Sequence, residues 1–225
     1  MTKAIVFDLD GTLIDSAPDL HQASNRLLAD LDTEPLSLET IRSFVGNGVP
    51  KLVERVLKAR DLYRDEARHA SMVTQFLAHY DAALHDKTVL YPGVVDCLDA
   101  LKAQGFSIGI CTNKPEAQTR AIVKGLDLER FVGAIIGGDS LPVKKPAIEP
   151  LQETLRQLGL GVASSSDDVI YVGDSEVDAA TAKAAEIPFF LFTDGYRKSP
   201  INQLPHTVAF NDYAELEYLI NNKWS

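Results

Sequence analysis

The chain has 225 residues, of which 45% are hydrophobic, and its formal net charge is -10 at pH 7. This length and apolar content suffice for one large hydrophobic core, or for a core with a smaller second domain. The acidic balance argues against nonspecific binding to nucleic acids or to anionic membranes, which favour basic surfaces, although a local pocket can still attract a small anion.

The chain opens with an apolar segment that predicts a short buried strand, Ala4-Ile5-Val6-Phe7. Asp8 and Asp10 interrupt it too early for the apolar core of a signal peptide, and no stretch approaches the ~20 apolar residues of a membrane span. The two cysteines are too few for a disulfide framework. These features predict a cytoplasmic protein that binds no membrane.

Residues 15–87 carry helical patterns and no convincing strand. Ser16, followed three positions later by Asp19, resembles a capping box, and Pro18 fits the first turn of a helix. Apolar side chains then recur at helical spacing in three stripes, which predict a small all-helical domain. The stripes are Leu20, Ala23, Leu27, Leu28 and Leu31; Leu52, Val53, Val56 and Leu57; and Phe76, Leu77, Tyr80 and Leu84.

From Tyr91 onward, strand and helix patterns alternate, which is typical of a parallel, doubly wound sheet. Strands are predicted at 106–111, 134–136, 169–172 and 189–192, and helices at 94–105, 116–124, 149–158 and 177–185. The first strand belongs to this sheet. We therefore predict an α/β fold, with a Rossmann-like core domain of residues 1–14 and 88–225 and an inserted all-helical cap domain of residues 15–87.

Polar residues follow four of the predicted strands, at the sheet edge where ligands of such folds bind. They are Asp8 and Asp10, Thr112 and Asn113, Lys144 and Lys145, and Asp174 and Asp178. Four carboxylates in one cleft would repel each other, and a bound divalent cation would relieve that repulsion. Oxygen ligands without nearby His or Cys favour Mg²⁺ over Zn²⁺.

The remaining groups at this edge suit a phosphate. The Thr112 hydroxyl, the Asn113 amide and the Lys145 ammonium could hold its oxygens, and Gly11 would let backbone N–H groups approach closely. A carboxylate is an established nucleophile for making an aspartyl-phosphate, and charged donors would stabilise the transferring phosphoryl group.

This arrangement resembles the haloacid dehalogenase-like hydrolases, and the resemblance spans nearly the whole chain. Four segments match the family's motifs in order: Asp8-Leu9-Asp10-Gly11-Thr12-Leu13, Thr112-Asn113, Lys145-Pro146 and Gly173-Asp174-Ser175-x-x-Asp178. The third motif departs from many relatives, because Ile148 stands where they have a second proline; this touches loop geometry rather than chemistry.

The resemblance implies a role for each matching residue. Asp8 is the expected nucleophile, and Asp10 the general acid that later serves as general base. The expected catalytic set also contains Thr112 and Lys145, the latter preferred to Lys144 because it directly precedes the proline. The expected Mg²⁺ site comprises Asp8, the Asp10 carbonyl and Asp174, supported by Asp178.

Asp10 bears on the reaction type. Dehalogenating relatives lack an acid two residues after the nucleophile, since a halide leaves without protonation, whereas an alkoxide needs a proton. We therefore expect hydrolysis of a phosphate ester. A phospho-accepting signalling module, the non-enzyme alternative, needs neither this acid nor a cap domain.

Gly46-Asn47-Gly48 lies before a predicted helix that carries Lys51 and Arg55, and a helix N-terminus of this kind suits an anion. The Phe44–Gly48 segment and the opening DLDGTLIDSAPDL resemble the bacterial phosphoglycolate phosphatase branch. This implies 2-phosphoglycolate as substrate, with pyrophosphate, a sugar phosphate or a phosphoglucomutase reaction as alternatives. We expect a monomer or homodimer that binds a small anionic metabolite through Gly11, Thr12, Asn113, Gly46, Asn47, Gly48 and Arg55.

Overall fold

The computed structural model describes residues 3–160 and 168–223. Among these residues, six strands pair in parallel to form one sheet. In chain order they are β1 (Ala4–Phe7), β4 (Ser107–Cys111), β5 (Val132–Ile136), β6 (Val169–Gly173), β7 (Phe189–Phe192) and β8 (Val208–Phe210). In space their order is β5-β4-β1-β6-β7-β8. The β1 strand lies near the middle, where Ile5 is opposite Ile108 on one side and Ile170 on the other.

The two faces of the sheet bury separate hydrophobic clusters, because successive side chains of a strand point to opposite faces. Ile5 and Phe7 belong to one cluster, and Ala4 and Val6 to the other. The first face is covered by α5 (Val94–Ala103), α6 (Glu116–Gly125) and α9 (Tyr213–Lys223), and the second by α7 (Glu149–Gln157) and α8 (Glu176–Ala184). The predicted α/β doubly wound class is confirmed.

A third hydrophobic cluster is formed mainly by the four helices that precede α5 in the chain. These are α1 (Ala17–Ala29), α2 (Leu38–Phe44), α3 (Val49–Lys58) and α4 (Glu66–Asp81). The sequence patterns indicate α1, α3 and α4 but not α2, whose single buried residue, Ile41, leaves no apolar stripe to recognise. This separate cluster supports the predicted cap domain, and we keep the proposed boundaries at residues 15 and 87. Residues 1–2, 161–167 and 224–225 of the proposed core domain lie outside the described residues.

The capping box predicted at the start of α1 is wrong, although the helix does begin there. Ser16 makes no side-chain capping bond; its hydroxyl donates to Asp10 Oδ1 instead, at 2.5 Å. Asp19 accepts from the backbone N–H of Lys87 and from both the N–H and the hydroxyl of Thr88. Both side chains thus satisfy donors that are distant in sequence, which local spacing cannot reveal.

A short antiparallel pair, β2 (Ile14–Asp15) and β3 (Val89–Leu90), joins the two chain segments that connect the helical cluster to the sheet. Neither strand was expected from the sequence, and the same is true of β8 and α9. Across the described ranges, no helix combines the length and the hydropathy that a membrane span requires.

Candidate active site

The carboxyl ends of the central strands bring the predicted acidic residues together with Lys145. Asp8 directly follows β1, and its N–H still donates to the Val172 carbonyl of β6 at 2.8 Å. Asp8, Asp174 and Asp178 each offer a carboxylate oxygen within 4.8 Å of the others, and all three residues are buried. Adjacent parallel strands end at the same edge, which explains why residues 166 to 170 positions apart in sequence meet here.

Lys145 is the cation of this cluster. Its Nζ lies 2.9 Å from Asp8 Oδ1 and 2.7 Å from Asp178 Oδ1, and its side chain is only 1% exposed. It also donates to the Tyr171 hydroxyl at 2.8 Å, and that hydroxyl donates to Asp178 Oδ1 at 2.8 Å. The Nζ therefore lies within ion-pair distance of both carboxylates, where it can neutralise charge at Asp8.

Asp174 is fixed from two directions. Thr12 donates its hydroxyl to Oδ1 at 2.8 Å, and the backbone N–H of Tyr196 donates to Oδ2 at 2.6 Å. Gly11 has a φ of +88°, and an added Cβ would lie 2.5 Å from Asp174 Oδ2. The Asp8-to-Thr12 loop can pack against Asp174 only because this position lacks a side chain.

Asp178 serves the site differently from the other two acids. Its Oδ1 accepts from Lys145 and Tyr171, and its Oδ2 accepts from the N–H and the hydroxyl of Ser175. Ser175 and Asp178 together form a capping box at the start of α8. Asp178 therefore contacts the same Lys145 ammonium as Asp8, while both of its oxygens accept hydrogen bonds.

The three buried acids differ in the direction in which their surroundings shift the pKa. Burial, reinforced by the charge of Asp178, raises the pKa of the Asp8 carboxyl from 3.8 to about 7, and Lys145 offsets only part of this. Burial and the charges of Asp178 and Asp8 also raise the pKa of Asp174 well above its ordinary value. For Asp178, burial is outweighed by Lys145, Ser175 and Tyr171, which hold its pKa below its ordinary value.

These residues fit a divalent cation. Asp8 Oδ1 is buried and, among the described residues, accepts no hydrogen bond of acceptable angle, although Lys145 lies beside it. An oxygen of this kind next to Asp174 can bind a cation that would favour both ionised carboxylates. The ligands are hard oxygens, as magnesium and calcium prefer.

The raised pKa of Asp8 predicts that the metal-free protein loses stability as the pH rises. Between pH 3.8 and about 7 the unfolded Asp8 is ionised while the folded one keeps its proton, so the free energy of unfolding falls across this window. Asp8→Asn cannot ionise and avoids this loss. We therefore expect urea unfolding in EDTA to show that the free energy of unfolding of Asp8→Asn increases relative to that of wild type as the pH rises through this window.

Added Mg²⁺ should remove this relative stabilisation of Asp8→Asn, because a cation bound by ionised Asp8 stabilises the folded wild type. The exposed Asp99, paired only at the surface with Arg130, provides the control variant Asp99→Asn. A stability difference between wild type and Asp8→Asn that does not change with pH would contradict the raised pKa.

Asp10 faces a second buried cation that the sequence reading did not single out. Lys114 Nζ donates to Asp10 Oδ1 and Oδ2 at 3.1 and 3.2 Å, and to the Tyr80 hydroxyl of α4 at 2.6 Å. Lys114 follows Thr112 and Asn113 directly, so a search for further charged residues after β4 could have found it. No local pattern indicates its partner Tyr80, which lies in an apolar stripe of the cap.

Asn113 connects the sheet edge to the cap loop. Its amide nitrogen donates to the Gly46 carbonyl and to the Lys145 carbonyl, at 3.1 Å each, while its Oδ1 is buried without a partner among the described residues. Gly48 has a φ of +82°, and an added Cβ would lie 3.0 Å from the Asn113 carbonyl oxygen. The glycine loop can therefore approach the Thr112–Lys114 segment closely.

Arg55 and Asn47, the two other cap residues predicted to bind substrate, contact each other at this loop. Arg55 donates to the Phe44 carbonyl at 2.6 Å and to Asn47 Oδ1 at 2.8 Å, so its guanidinium braces the loop from within the cap. Lys144, which is exposed, donates to the Asn47 carbonyl at 2.9 Å. A direct contact of Arg55 or Asn47 with a ligand stays a prediction.

A pocket opens between the sheet edge and the cap. Its floor is polar and comes from the core, whereas its cap wall is apolar apart from glycine backbone. The floor comprises Asp8, Asp10, Thr112, Asn113 and Lys114, and the wall comprises Leu20, Val45, Gly46, Gly48, Val49 and Leu52. The pocket thus joins a charged reaction centre to a wall that offers no side-chain hydrogen bond.

Comparisons with known proteins point in the same direction. A family model described as haloacid dehalogenase-like hydrolase matches residues 5–192. A phosphoglycolate phosphatase of Cereibacter sphaeroides is 47% identical over 216 residues, covering 96% of each chain. One of Rhodobacter capsulatus is 39% identical over 226 residues, covering 100% of each. The crystal structure of a predicted phosphoglycolate phosphatase from Haemophilus somnus is 31% identical, with a TM-score of 0.89, and covers 97% of this chain and 98% of that one.

Proposed function

The chain belongs to the haloacid dehalogenase-like hydrolase family, and from this membership we propose that it is a phosphatase that hydrolyses 2-phosphoglycolate to glycolate and phosphate. The observation that carries the proposal is the cluster of Asp8, Lys145 and Asp174 at the carboxyl end of β1, in which Asp8 lines the same pocket as Asp10. The phosphoglycolate phosphatases to which the chain is similar over nearly its whole length support the choice of substrate.

Asp8 begins the reaction. One of its carboxylate oxygens attacks the phosphorus atom, the ester P–O bond breaks, and its electron pair passes to the glycolate oxygen. Asp10 gives that oxygen a proton, which an alkoxide leaving group requires. Lys145 and the Thr112 hydroxyl stabilise charge on the phosphoryl oxygens, and Lys145 also keeps Asp8 oriented.

Asp10 also serves the second half of the reaction. Once glycolate has left, Asp10 is ionised and can take a proton from a water molecule that attacks the phosphoryl group on Asp8. The bond between phosphorus and the Asp8 oxygen breaks, which restores the carboxylate and releases inorganic phosphate. Asp10 returns to its protonated state, so the cycle closes with one water molecule consumed.

Mg²⁺ is the cation that we assign to the acidic cluster. Asp8, the Asp10 carbonyl and Asp174 would hold it, with Asp178 in support, since Mg²⁺ binds a few carboxylates and otherwise water and substrate phosphate. When bound, it neutralises charge on the phosphoryl group and lets the acids ionise together.

The pocket wall supports a small substrate without hydroxyl groups. A sugar phosphate would place several hydroxyls against Leu20, Val49 and Leu52, where they would lose hydrogen bonds to water and gain none. Glycolate has a single carboxylate, which the backbone N–H groups at Gly46–Gly48 and the start of α3 could receive. Cytoplasmic location and a monomeric or homodimeric state stay predictions.

A phosphate-release assay with Mg²⁺ tests the substrate. We expect kcat/KM for 2-phosphoglycolate to exceed that for glucose 6-phosphate and for pyrophosphate by at least roughly 10²-fold, because a desolvated hydroxyl or an unmatched charge costs a few kcal/mol. Leu52→Ser, which adds a hydroxyl to the pocket wall, should reduce the ratio of kcat/KM for 2-phosphoglycolate to kcat/KM for glucose 6-phosphate. Equal rates across these substrates would refute the assignment, and transfer of phosphate to a second sugar position without release would indicate a mutase.

A further inference from the structure

Asp10 is held by a cation that is itself held by the cap. Lys114 is 4% exposed, and its ammonium contacts both oxygens of Asp10 and the hydroxyl of Tyr80. Tyr80 is 1% exposed and stacks on Phe76 within α4, at a ring separation of 5.9 Å. The Lys114 ammonium also lies 4.7 Å from the centre of the Tyr80 ring. The contact therefore joins the β4–α6 loop of the core to the cap.

This contact is more than a surface ion pair. The side chains of Lys114 and Asp10 are 2% and 13% exposed, so water screens their attraction only weakly. Burial lowers the pKa of Lys114, but Asp10 and Tyr80 outweigh that effect and hold it above its ordinary value. The ammonium stays charged in the pocket floor beside the carboxylate that moves protons.

We propose that Lys114 and Tyr80 are positioning residues for Asp10: Lys114 aims the carboxylate at the pocket, and Tyr80 fixes Lys114 while α4 lies against the core. The inference rests on the proposed phosphatase function. Lys114 contacts Asp10 through both oxygens, whereas Ser16, the other donor to its side chain in the described ranges, contacts Oδ1 alone. Removing Lys114 would leave the side chain of Asp10 held through Oδ1 alone, so its Oδ2 could move about the Cβ–Cγ bond.

The leaving group provides a readout that a purely structural role would not change. When Asp8 attacks the phosphorus of an alkyl ester, the departing oxygen must receive the Asp10 proton. The para-nitrophenolate ion departs from its ester without a proton, because it is a much weaker base. Poor positioning of Asp10 should therefore slow phosphoryl transfer from an alkyl ester far more than from an aryl ester.

The experiment compares kcat/KM for 2-phosphoglycolate and para-nitrophenyl phosphate in four variants of the full chain with Mg²⁺. For Lys114→Met we expect a loss of roughly 10²-fold with phosphoglycolate but under about tenfold with the aryl ester. Tyr80→Phe keeps the ring and should lose roughly tenfold selectively with phosphoglycolate. Lys114→Arg should recover part of the loss. Tyr63→Phe, which removes an exposed hydroxyl from Glu66 in the same cap, is the control.

The ratio of the two rates distinguishes the outcomes, because both substrates are assayed on one sample and misfolded protein cancels from it. A larger aryl-to-alkyl ratio in Lys114→Met and Tyr80→Phe, but not in Tyr63→Phe, supports the inference. Parallel losses with both esters, or no loss, overturn it while the phosphatase function stands. If wild type releases phosphate from neither ester, the proposed function fails and the inference fails with it.

Discussion

Replacing Asp8 with asparagine should lower the rate of phosphate release by at least roughly 10⁴-fold, because the amide cannot attack phosphorus and only binding and charge stabilisation remain. The substitution preserves the size of the side chain, so the contacts around Lys145 and Asp174 can persist. It also removes a buried carboxyl whose pKa is raised to about 7, so the folded state should not suffer.

Two measurements separate this result from a general defect. Phosphate release under steady-state conditions gives the loss, and Asp99→Asn, at an exposed position, should retain wild-type rates. Rapid acid quenching followed by peptide mass analysis should find phosphate on the peptide that contains Asp8 in wild type and none in the variant. Near-normal turnover by Asp8→Asn would place the nucleophile elsewhere in the chain. A phosphorylated wild type that releases no phosphate in repeated turnovers would instead indicate a phospho-accepting module.

Replacing Lys145 with methionine should damage both activity and stability. Its Nζ is the cation shared by Asp8, at 2.9 Å, and Asp178, at 2.7 Å, in a site with almost no solvent exposure. Leaving buried charges without their partner typically costs about 3–5 kcal/mol of folding free energy. We expect a loss of that size in urea unfolding without metal, and a fall in kcat of at least roughly 10²-fold, because a charge facing the phosphoryl group is lost.

Lys144 provides a matched control one residue away. Lys144 is exposed and, within the ranges that the structure describes, its Nζ donates one hydrogen bond, to the Asn47 carbonyl. Lys144→Met should therefore change the free energy of unfolding by less than about 1 kcal/mol. Activity should change little, because this contact lies at the rim of the cap loop. Equal effects of the two substitutions would show that the cluster around Asp8 does not depend on Lys145.

Much of the fold and of the candidate site could be predicted because the signals are local. Short apolar runs ending in polar residues indicated the parallel strands and, with them, the edge at which Asp8, Lys145 and Asp174 meet. Apolar stripes indicated the long cap helices. Two of the elements that escaped prediction, α2 and β8, bury too few side chains to leave a periodic pattern.

The sequence by itself determined which residue types stand at the ends of the strands. Strands that alternate with helices run parallel, so the residues that follow them in the chain lie at one edge of the sheet. Only the tertiary structure decided what those residues contact. Ser16 and Asp19 have the spacing of a capping box, yet they bond to Asp10 and to Thr88. Lys114 lines the pocket and donates to Tyr80, 34 positions earlier in the chain. Local spacing carries no information about such partners, because burial selects them from the whole chain.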